Sequence, residues 1–156
     1  MDPKIYLKNL NIEFKVHTHK AVFTGPEAAI HCNHINGLHS KNLFLKNKNK
    51  KKFYLVIIPA KDNLDLTKLN SILNDKLGLA SADRLKNILN LSPGSVSPFG
   101  LINDKDKKTI LLIHKDVWIS EVVTFHPNIN TETLELTQDA FRKYIASLDI
   151  EYKIID

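Results

Sequence analysis

The sequence predicts one α/β domain, an α+β-like arrangement in which a mixed, largely antiparallel sheet carries helices. The chain has 156 residues, which suits one domain and is too short for two full ones. Strand-like runs outnumber helical runs, and two neighbouring pairs of strands have the spacing of hairpins. No internal repeat and no linker rich in proline, glycine and serine marks a boundary. We therefore expect a single domain over residues 1–156 and not a doubly wound parallel sheet.

The first elements follow from local patterns. Residues 1–10 predict a short helix or a lead-in, and the alternation over residues 13–19 predicts a strand. Thr24 and Glu27 have the spacing of a capping box with Pro26 in the first turn, which predicts a helix that begins there and ends near residue 31.

A hairpin and two capped helices come next. Residues 41–46 and 53–58 are two strand-like runs, joined by a lysine-rich tip. Asp65 can cap a helix that ends near residue 74, and Ser81 can cap another that ends near residue 90. Residues 92–95 then form a turn.

The last third of the chain alternates between strands and one helix. Pro98 and Gly100 predict an irregular stretch after the turn. Thr137 caps the final helix, whose apolar residues fall on one face. The predicted strands in this part are residues 109–113, 121–125, 131–136 and 150–155.

Composition limits the classes of protein and of partner. No run of about 18 apolar residues is present to span a membrane, the charged N-terminal residues do not resemble a secretory signal, and one cysteine cannot form an internal disulfide. We therefore expect a cytoplasmic protein. The 22 basic residues exceed the 17 acidic residues by five, which favours a polyanionic partner, although biased codon usage explains the many lysines equally well.

Three segments could carry chemistry. Lys41 and Asn42 stand where a polar loop becomes an apolar strand, so the ammonium could bind a phosphate or a polarised carbonyl; the alternative is a solvated lysine. Gly94 and Pro98 lie in a rigid loop whose amides could approach such oxygens, or which merely connects two elements. His126 before Pro127 could gate a pocket or orient water, or be an ordinary surface histidine.

Histidines and lysines form two further groups. Seven histidines and Cys32 invite a zinc site, but no recognisable ligand spacing is present, and we expect no metal. His17 and His19 should share a strand face, and His39 follows a cluster that includes Cys32. The lysines at the hairpin tip could track an RNA backbone or form a charged turn that guards an edge strand: Lys46, Lys48, Lys50, Lys51 and Lys52.

In this order, these segments resemble the YbaK/prolyl-tRNA-synthetase-associated editing domain family, the free-standing aminoacyl-tRNA deacylases. The resemblance begins at residues 22–24, continues through residues 41–46 and 91–104, and closes with residues 125–128 and 130–131. The form of residues 41–45 is most similar to the branch that removes alanine from tRNA(Pro). Asn47 and residues 36–40 depart from the family's usual pattern.

The resemblance implies a barrel-like mixed sheet and hydrolysis of the ester between a wrong amino acid and the tRNA 3′ end, without a metal or other cofactor. It places the family's invariant lysine on Lys41, its glycine loop on residues 94–98 and its pocket histidine on His126. The expected substrate is Ala-tRNA(Pro), and prolyl-tRNA synthetase is a possible partner. The alternatives are Cys- or Ser-tRNA, or a non-catalytic tRNA-binding module. Further substrate contacts are expected from Thr24, Asn42, Ser95 and Pro98.

Overall fold

The computed structural model describes residues 1–49 and 51–156. Its helices are α1 (Pro3–Asn9), α2 (Gly25–Cys32), α3 (Leu66–Leu73), α4 (Ala82–Leu89), α5 (Lys115–Ile119) and α6 (Gln138–Leu148), and a 3₁₀ helix spans Pro98–Asn103. Its strands are β1 (Lys15–Thr18), β2 (Leu38–Asn47), β3 (Phe53–Pro59), β4 (Leu77–Leu79), β5 (Thr109–His114), β6 (Val122–Phe125), β7 (Glu132–Thr137) and β8 (Tyr152–Ile155).

The predicted helix starts are confirmed by their caps. Each capping side chain accepts a hydrogen bond from the backbone N–H three residues later, which satisfies one of the free donors at a helix start. The left-handed backbone of Asn74 and Asn90 ends α3 and α4 near the predicted positions. The four caps are Thr24, Asp65, Ser81 and Thr137.

Three local predictions were incomplete or wrong. The stretch after Pro98 is a 3₁₀ helix rather than irregular, because the Ser97 side chain accepts from the Phe99 N–H and starts the turn. The predictions missed α5, whose cap is the ring of His114 accepting from the Asp116 N–H. They also missed the three-residue strand β4, which is too short to show a period.

All eight strands belong to one mixed sheet, ordered β1-β7-β6-β2-β3-β5-β8, with β4 beside β2. The pairings β1–β7, β7–β6, β2–β3 and β2–β4 are antiparallel, and β6–β2, β3–β5 and β5–β8 are parallel. The mixed sheet confirms the predicted class. The sheet is not closed into a barrel, because in the described part of the chain the end strands β1 and β8 do not pair with each other.

The two faces of the sheet pack differently. Alternate residues of β3 enter different apolar clusters: Leu55 and Ile57 join a large cluster that includes residues of α4 and α6, whereas Val56 and Ile58 join one that includes Leu69 of α3. A third, smaller cluster lies under α2. No helix within residues 1–49 and 51–156 is long and apolar enough to cross a membrane.

Candidate active site

Three of the segments singled out in the sequence are in direct contact. The Val22 N–H donates to the Asn130 carbonyl, and the Asn130 side chain donates back to the Val22 carbonyl at 3.0 Å. The Asn128 side chain donates to the Phe99 carbonyl, just beyond the glycine loop. The segment before α2, the glycine loop and the β6–β7 loop with His126 therefore form one neighbourhood.

Lys41 approaches this neighbourhood along the sheet. β2 and β6 run parallel, with Leu38 opposite Val123 and His39 opposite Thr124. The same register, continued by two residues, would bring Lys41 level with His126. The Lys41 ammonium donates to the Asn63 side-chain oxygen at 3.4 Å, a long bond to an exposed partner. The ammonium is thus weakly held and available to an anionic or carbonyl oxygen.

Asn42 points to the opposite face from Lys41, because successive strand side chains alternate. It pairs with Ile57, a residue of the large cluster, whereas Lys41 pairs with Ile58. The Asn42 Oδ1 atom is buried and has no hydrogen-bond partner among the described residues. Such an atom can accept a donor from a bound molecule.

His126 presents one bare ring nitrogen. Its Nδ1 lies 2.9 Å from the Glu132 carbonyl, and since a carbonyl only accepts, Nδ1 carries the proton and Nε2 the lone pair. Burial lowers the pKa of His126 below its usual value; the bond to Glu132 raises it, and the nearby His19 and His39 lower it further. The ring is therefore held neutral at pH 7, with Nε2 able to accept a hydrogen bond.

The glycine loop combines an exposed turn with a buried anchor. Gly94 is exposed and has φ +90°, and a Cβ there would lie 3.9 Å from Phe23. The Ser95 N–H closes the turn onto the Ser92 carbonyl at 3.1 Å. Pro98 is buried, and its carbonyl accepts the hydroxyl of Tyr144 at 2.7 Å. Pro98 thus fixes the loop from inside, while Gly94 and Ser95 remain at its outer end.

Thr24 is occupied by helix capping. Its hydroxyl oxygen accepts from the Glu27 N–H at 3.3 Å, which is one half of the predicted capping box. The same hydroxyl donates to the Glu27 carboxylate at 3.2 Å, so the two residues are joined through their side chains. Thr24 positions the start of α2 and the neighbouring Phe23, whose ring is 67% exposed. The predicted contact between Thr24 and substrate stays a prediction.

Sequence reasoning did not assign His19, His39 or Phe23 to the site around His126 and Gly94. The sequence predicts a role for His19 only through the weak zinc hypothesis, and His39 stands at the start of the Lys41 segment with no role predicted there, since their spacing does not show which strands become neighbours. The structure places the His19 ring 5.9 Å from that of His126. For Phe23, the sequence offered one indication of a role at the site, namely its position in the segment that resembles the editing family.

The lysine-rich hairpin tip lies apart from Lys41. Lys46 is five residues further along β2, about 17 Å at the rise of a strand. Lys46 and Lys48 line a cavity of ≈ 250 Å³ together with Lys76, which the sequence analysis had not grouped with them. Lys51 and Lys52 are exposed, and Lys50 lies outside the described residues.

One group of side chains within the described ranges has ligand atoms close enough to share a metal ion. Those of Asp62, His114 and Asp116 lie within 4.8 Å of one another. The His114 Nδ1 accepts the Asp116 N–H as the cap of α5, so that nitrogen is engaged in the backbone. The group lies outside the contacts around His126.

Comparisons with known proteins agree with this fold and these motifs. Residues 19–144 match the model of the aminoacyl-tRNA editing domain. The chain is 32% identical over 152 residues to the prolyl-tRNA editing protein ProX of Acetoanaerobium sticklandii, covering 96% of this chain and 92% of the relative. It is 34% identical over 143 residues to the prolyl-tRNA synthetase associated domain-containing protein 1 of Bos taurus, covering 89% and 84%.

A solved structure shares the fold. It is described as that of a candidate trans-editing enzyme for prolyl-tRNA synthetase, and it superposes with a TM-score of 0.71 at 17% identity over 92% of this chain and 85% of that one. Fold and sequence thus define an aminoacyl-tRNA editing hydrolase. The chain belongs to the aminoacyl-tRNA editing domain family.

Proposed function

We propose that this enzyme acts in trans on mischarged tRNA(Pro) and that its main substrate is Ala-tRNA(Pro). The observation that carries the proposal is the match to ProX, a protein named for prolyl-tRNA editing, over 96% of the chain. Lys41, Gly94 and His126 occupy the positions that the resemblance assigns to the site. We further propose that the enzyme is cytoplasmic and works beside prolyl-tRNA synthetase.

Lys41 supplies the positive charge of the proposed site. In the reaction, a water oxygen forms a bond to the ester carbonyl carbon, the bond from that carbon to the ribose oxygen breaks, and the ribose oxygen leaves with a proton. The carbonyl oxygen carries negative charge in between, and a fixed ammonium stabilises that charge more than it stabilises the ground state. The same ammonium can bind the terminal phosphate of the tRNA and so hold the ester in place.

His126 and the glycine loop orient the reacting groups. The bare Nε2 of His126 can accept a hydrogen bond from water or from the substrate's α-ammonium, because the Glu132 carbonyl holds the proton on Nδ1. Backbone groups at Gly94 can approach the tRNA end closely, since no side chain covers them. Ser95 provides a further polar contact, and Pro98 fixes the loop. Asn42 lies on the opposite face of β2 from Lys41, and we assign it no contact with the substrate. No metal is required, because an aminoacyl ester is already activated.

Selection against proline follows from size. A synthetase pocket separates substrates that differ by one methylene by only about 1–3 kcal/mol, so a second, smaller site is needed to remove the smaller amino acid. In this proposal alanine enters the space beside His126, and the proline ring is too large for it. Correctly charged tRNA(Pro) then survives.

The experiment that tests the substrate compares four charged tRNAs side by side. Purified enzyme is mixed with Ala-tRNA(Pro), Cys-tRNA(Pro), Ser-tRNA(Ser) and Pro-tRNA(Pro), and the release of each amino acid is followed. We expect alanine to be released fastest and proline to be retained. Faster release of cysteine or serine would replace alanine in the proposal without changing the reaction.

We expect the hairpin tip to add affinity that depends on salt but no selectivity. A variant with Lys46, Lys48, Lys51 and Lys52 changed to Gln should raise KM at low salt and reduce the slope of log KM against log salt by roughly 3, at ~0.7–0.9 per phosphate contact. The turnover number should change little. A matched variant is Lys105→Gln, Lys108→Gln, Lys143→Gln and Lys153→Gln, which removes the same charge elsewhere. Equal slopes for both variants would show that the tip makes no phosphate contacts.

A further inference from the structure

A chain of hydrogen bonds begins at the Nδ1 side of the His126 ring, away from the free Nε2 atom, and has no part in the hydrolysis proposed for this enzyme. The Thr133 hydroxyl oxygen lies 2.8 Å from His19 Nε2 and 3.4 Å from His126 Nδ1. On its far side, His19 Nδ1 lies 2.8 Å from the Lys20 carbonyl. Thr133 is buried, only 3% exposed, on the strand that follows the His126 loop. Two histidines from distant parts of the sequence therefore share one buried hydroxyl.

Elementary bonding rules fix the direction of each bond. The Lys20 carbonyl can only accept, so neutral His19 carries its proton on Nδ1 and has a lone pair on Nε2. The Thr133 hydroxyl then donates to His19 Nε2, which leaves its oxygen lone pairs for other donors. His126 Nδ1–H is such a donor, shared between the Glu132 carbonyl at 2.9 Å and Thr133 at 3.4 Å. Every proton in the chain points away from His126 Nε2.

We propose that Thr133 and His19 are positioning residues that fix the orientation of the His126 ring, whose proton the Glu132 carbonyl already holds on Nδ1. The proposal rests on the proposed function only where it concerns catalysis. A single carbonyl acceptor allows the ring to tilt about one bond, whereas a second acceptor, itself held by His19, sets the plane of the ring. The bare Nε2 is thereby presented to the substrate in one direction, as the ester reaction requires.

The surroundings of the His126 ring, above all its burial, lower its pKa and keep it uncharged near neutral pH. His39 of β2 and His19 both oppose a charge on His126. Burial raises the pKa of the Cys32 thiol, and a hydrogen bond with Thr133 lowers it by less, so the thiol is neutral. Glu132 is paired with Lys4 at 2.8 Å, and Glu135 with His17 at 3.0 Å. The chain therefore works with the His126 ring neutral, and its effect should weaken as falling pH charges that ring.

The test uses variants that remove one link each. Thr133→Val removes the hydroxyl at nearly constant volume, Thr133→Ser retains it, and His19→Phe retains an aromatic ring without the acceptor. We expect Thr133→Val and His19→Phe each to lower kcat about tenfold with KM within about twofold, an effect of the size that mispositioning a reacting group produces. The double variant should lose no more than either single variant, because both act through one chain. Thr133→Ser should retain most of the rate.

A second readout does not depend on activity. NMR of the wild-type protein should show the His126 ring protonated on Nδ1 at pH 7, with one set of contacts between the ring protons and their neighbours. Thr133→Val should keep the Nδ1 proton and give a second set of ring contacts, because the ring can then tilt. This result in a protein that releases no amino acid would refute the proposed function and support the chain. Losses of kcat that multiply in the double variant, together with unchanged contacts of the His126 ring in Thr133→Val, would overturn the inference.

Discussion

We expect the substitution Lys41→Ala to abolish most of the deacylase activity while the protein stays folded. We expect kcat/KM on Ala-tRNA(Pro) to fall by about 10²–10³, the loss measured when one preorganised donor to an oxyanion is removed. The fold should tolerate the change, because the ammonium makes a single 3.4 Å hydrogen bond to an exposed asparagine. Steady-state rates together with thermal unfolding of both proteins measure the two effects separately.

The way in which activity is lost assigns the role of the ammonium. A fall in kcat indicates stabilisation of the carbonyl oxygen in the transition state, whereas a rise in KM alone indicates binding of the terminal phosphate. The matched control is Lys153→Ala, an exposed lysine on β8, an end strand of the sheet three strands away from β2. A Lys41→Ala enzyme with the turnover of the control would remove Lys41 from the mechanism.

Gly94→Ala is expected to damage both the loop and the activity. Gly94 has φ +90°, a backbone conformation that residues with a Cβ rarely adopt. There is space for the methyl group, since its nearest neighbour would be Phe23 at 3.9 Å, so the cost comes from the backbone. We expect a loss of about 1–3 kcal/mol in the free energy of unfolding if the loop keeps its shape. If the loop relaxes instead, KM should rise because its amides move.

Gly25→Ala is the matched control for that loop variant. Gly25 begins α2, does not have a positive φ, and has no neighbouring atom within 4 Å of the place where a methyl group would lie. Alanine is the better helix former, so Gly25→Ala should leave the free energy of unfolding unchanged or slightly higher. Urea unfolding of both variants measures the difference. Equal stabilities and equal rates would show that the left-handed turn at Gly94 has no special importance.

Local signals in the sequence were sufficient for most of the helices and strands. Helix starts depend on one side chain and an N–H three residues away, so Thr24, Asp65 and Ser81 could be recognised as caps from spacing alone. The β2–β3 hairpin likewise depends on neighbouring residues. In contrast, α5 is capped by His114, a residue type that does not ordinarily signal a helix start.

The arrangement of the site depends on pairings between distant residues, which local patterns do not encode. The parallel pairing of β2 with β6 sets His39 opposite Thr124, each two residues before Lys41 and His126. His19 reaches the back of the same ring because β1 pairs with β7. The resemblance to the editing family named Lys41 and His126 through motifs. It did not name His19, and nothing near position 19 in the sequence indicates a partner 107 residues away.

The deacylase function is tested most directly by asking whether this protein alone cleaves the ester of a charged tRNA. Purified protein is incubated with tRNA(Pro) carrying radiolabelled alanine, and free alanine and protein-bound tRNA are measured over time, with Lys41→Ala as the control. We expect multiple turnovers of released alanine from the wild-type protein and almost none from the variant, as the proposed deacylase function requires. Tight binding of the charged tRNA without release above the spontaneous rate would contradict it and would indicate a tRNA-binding module.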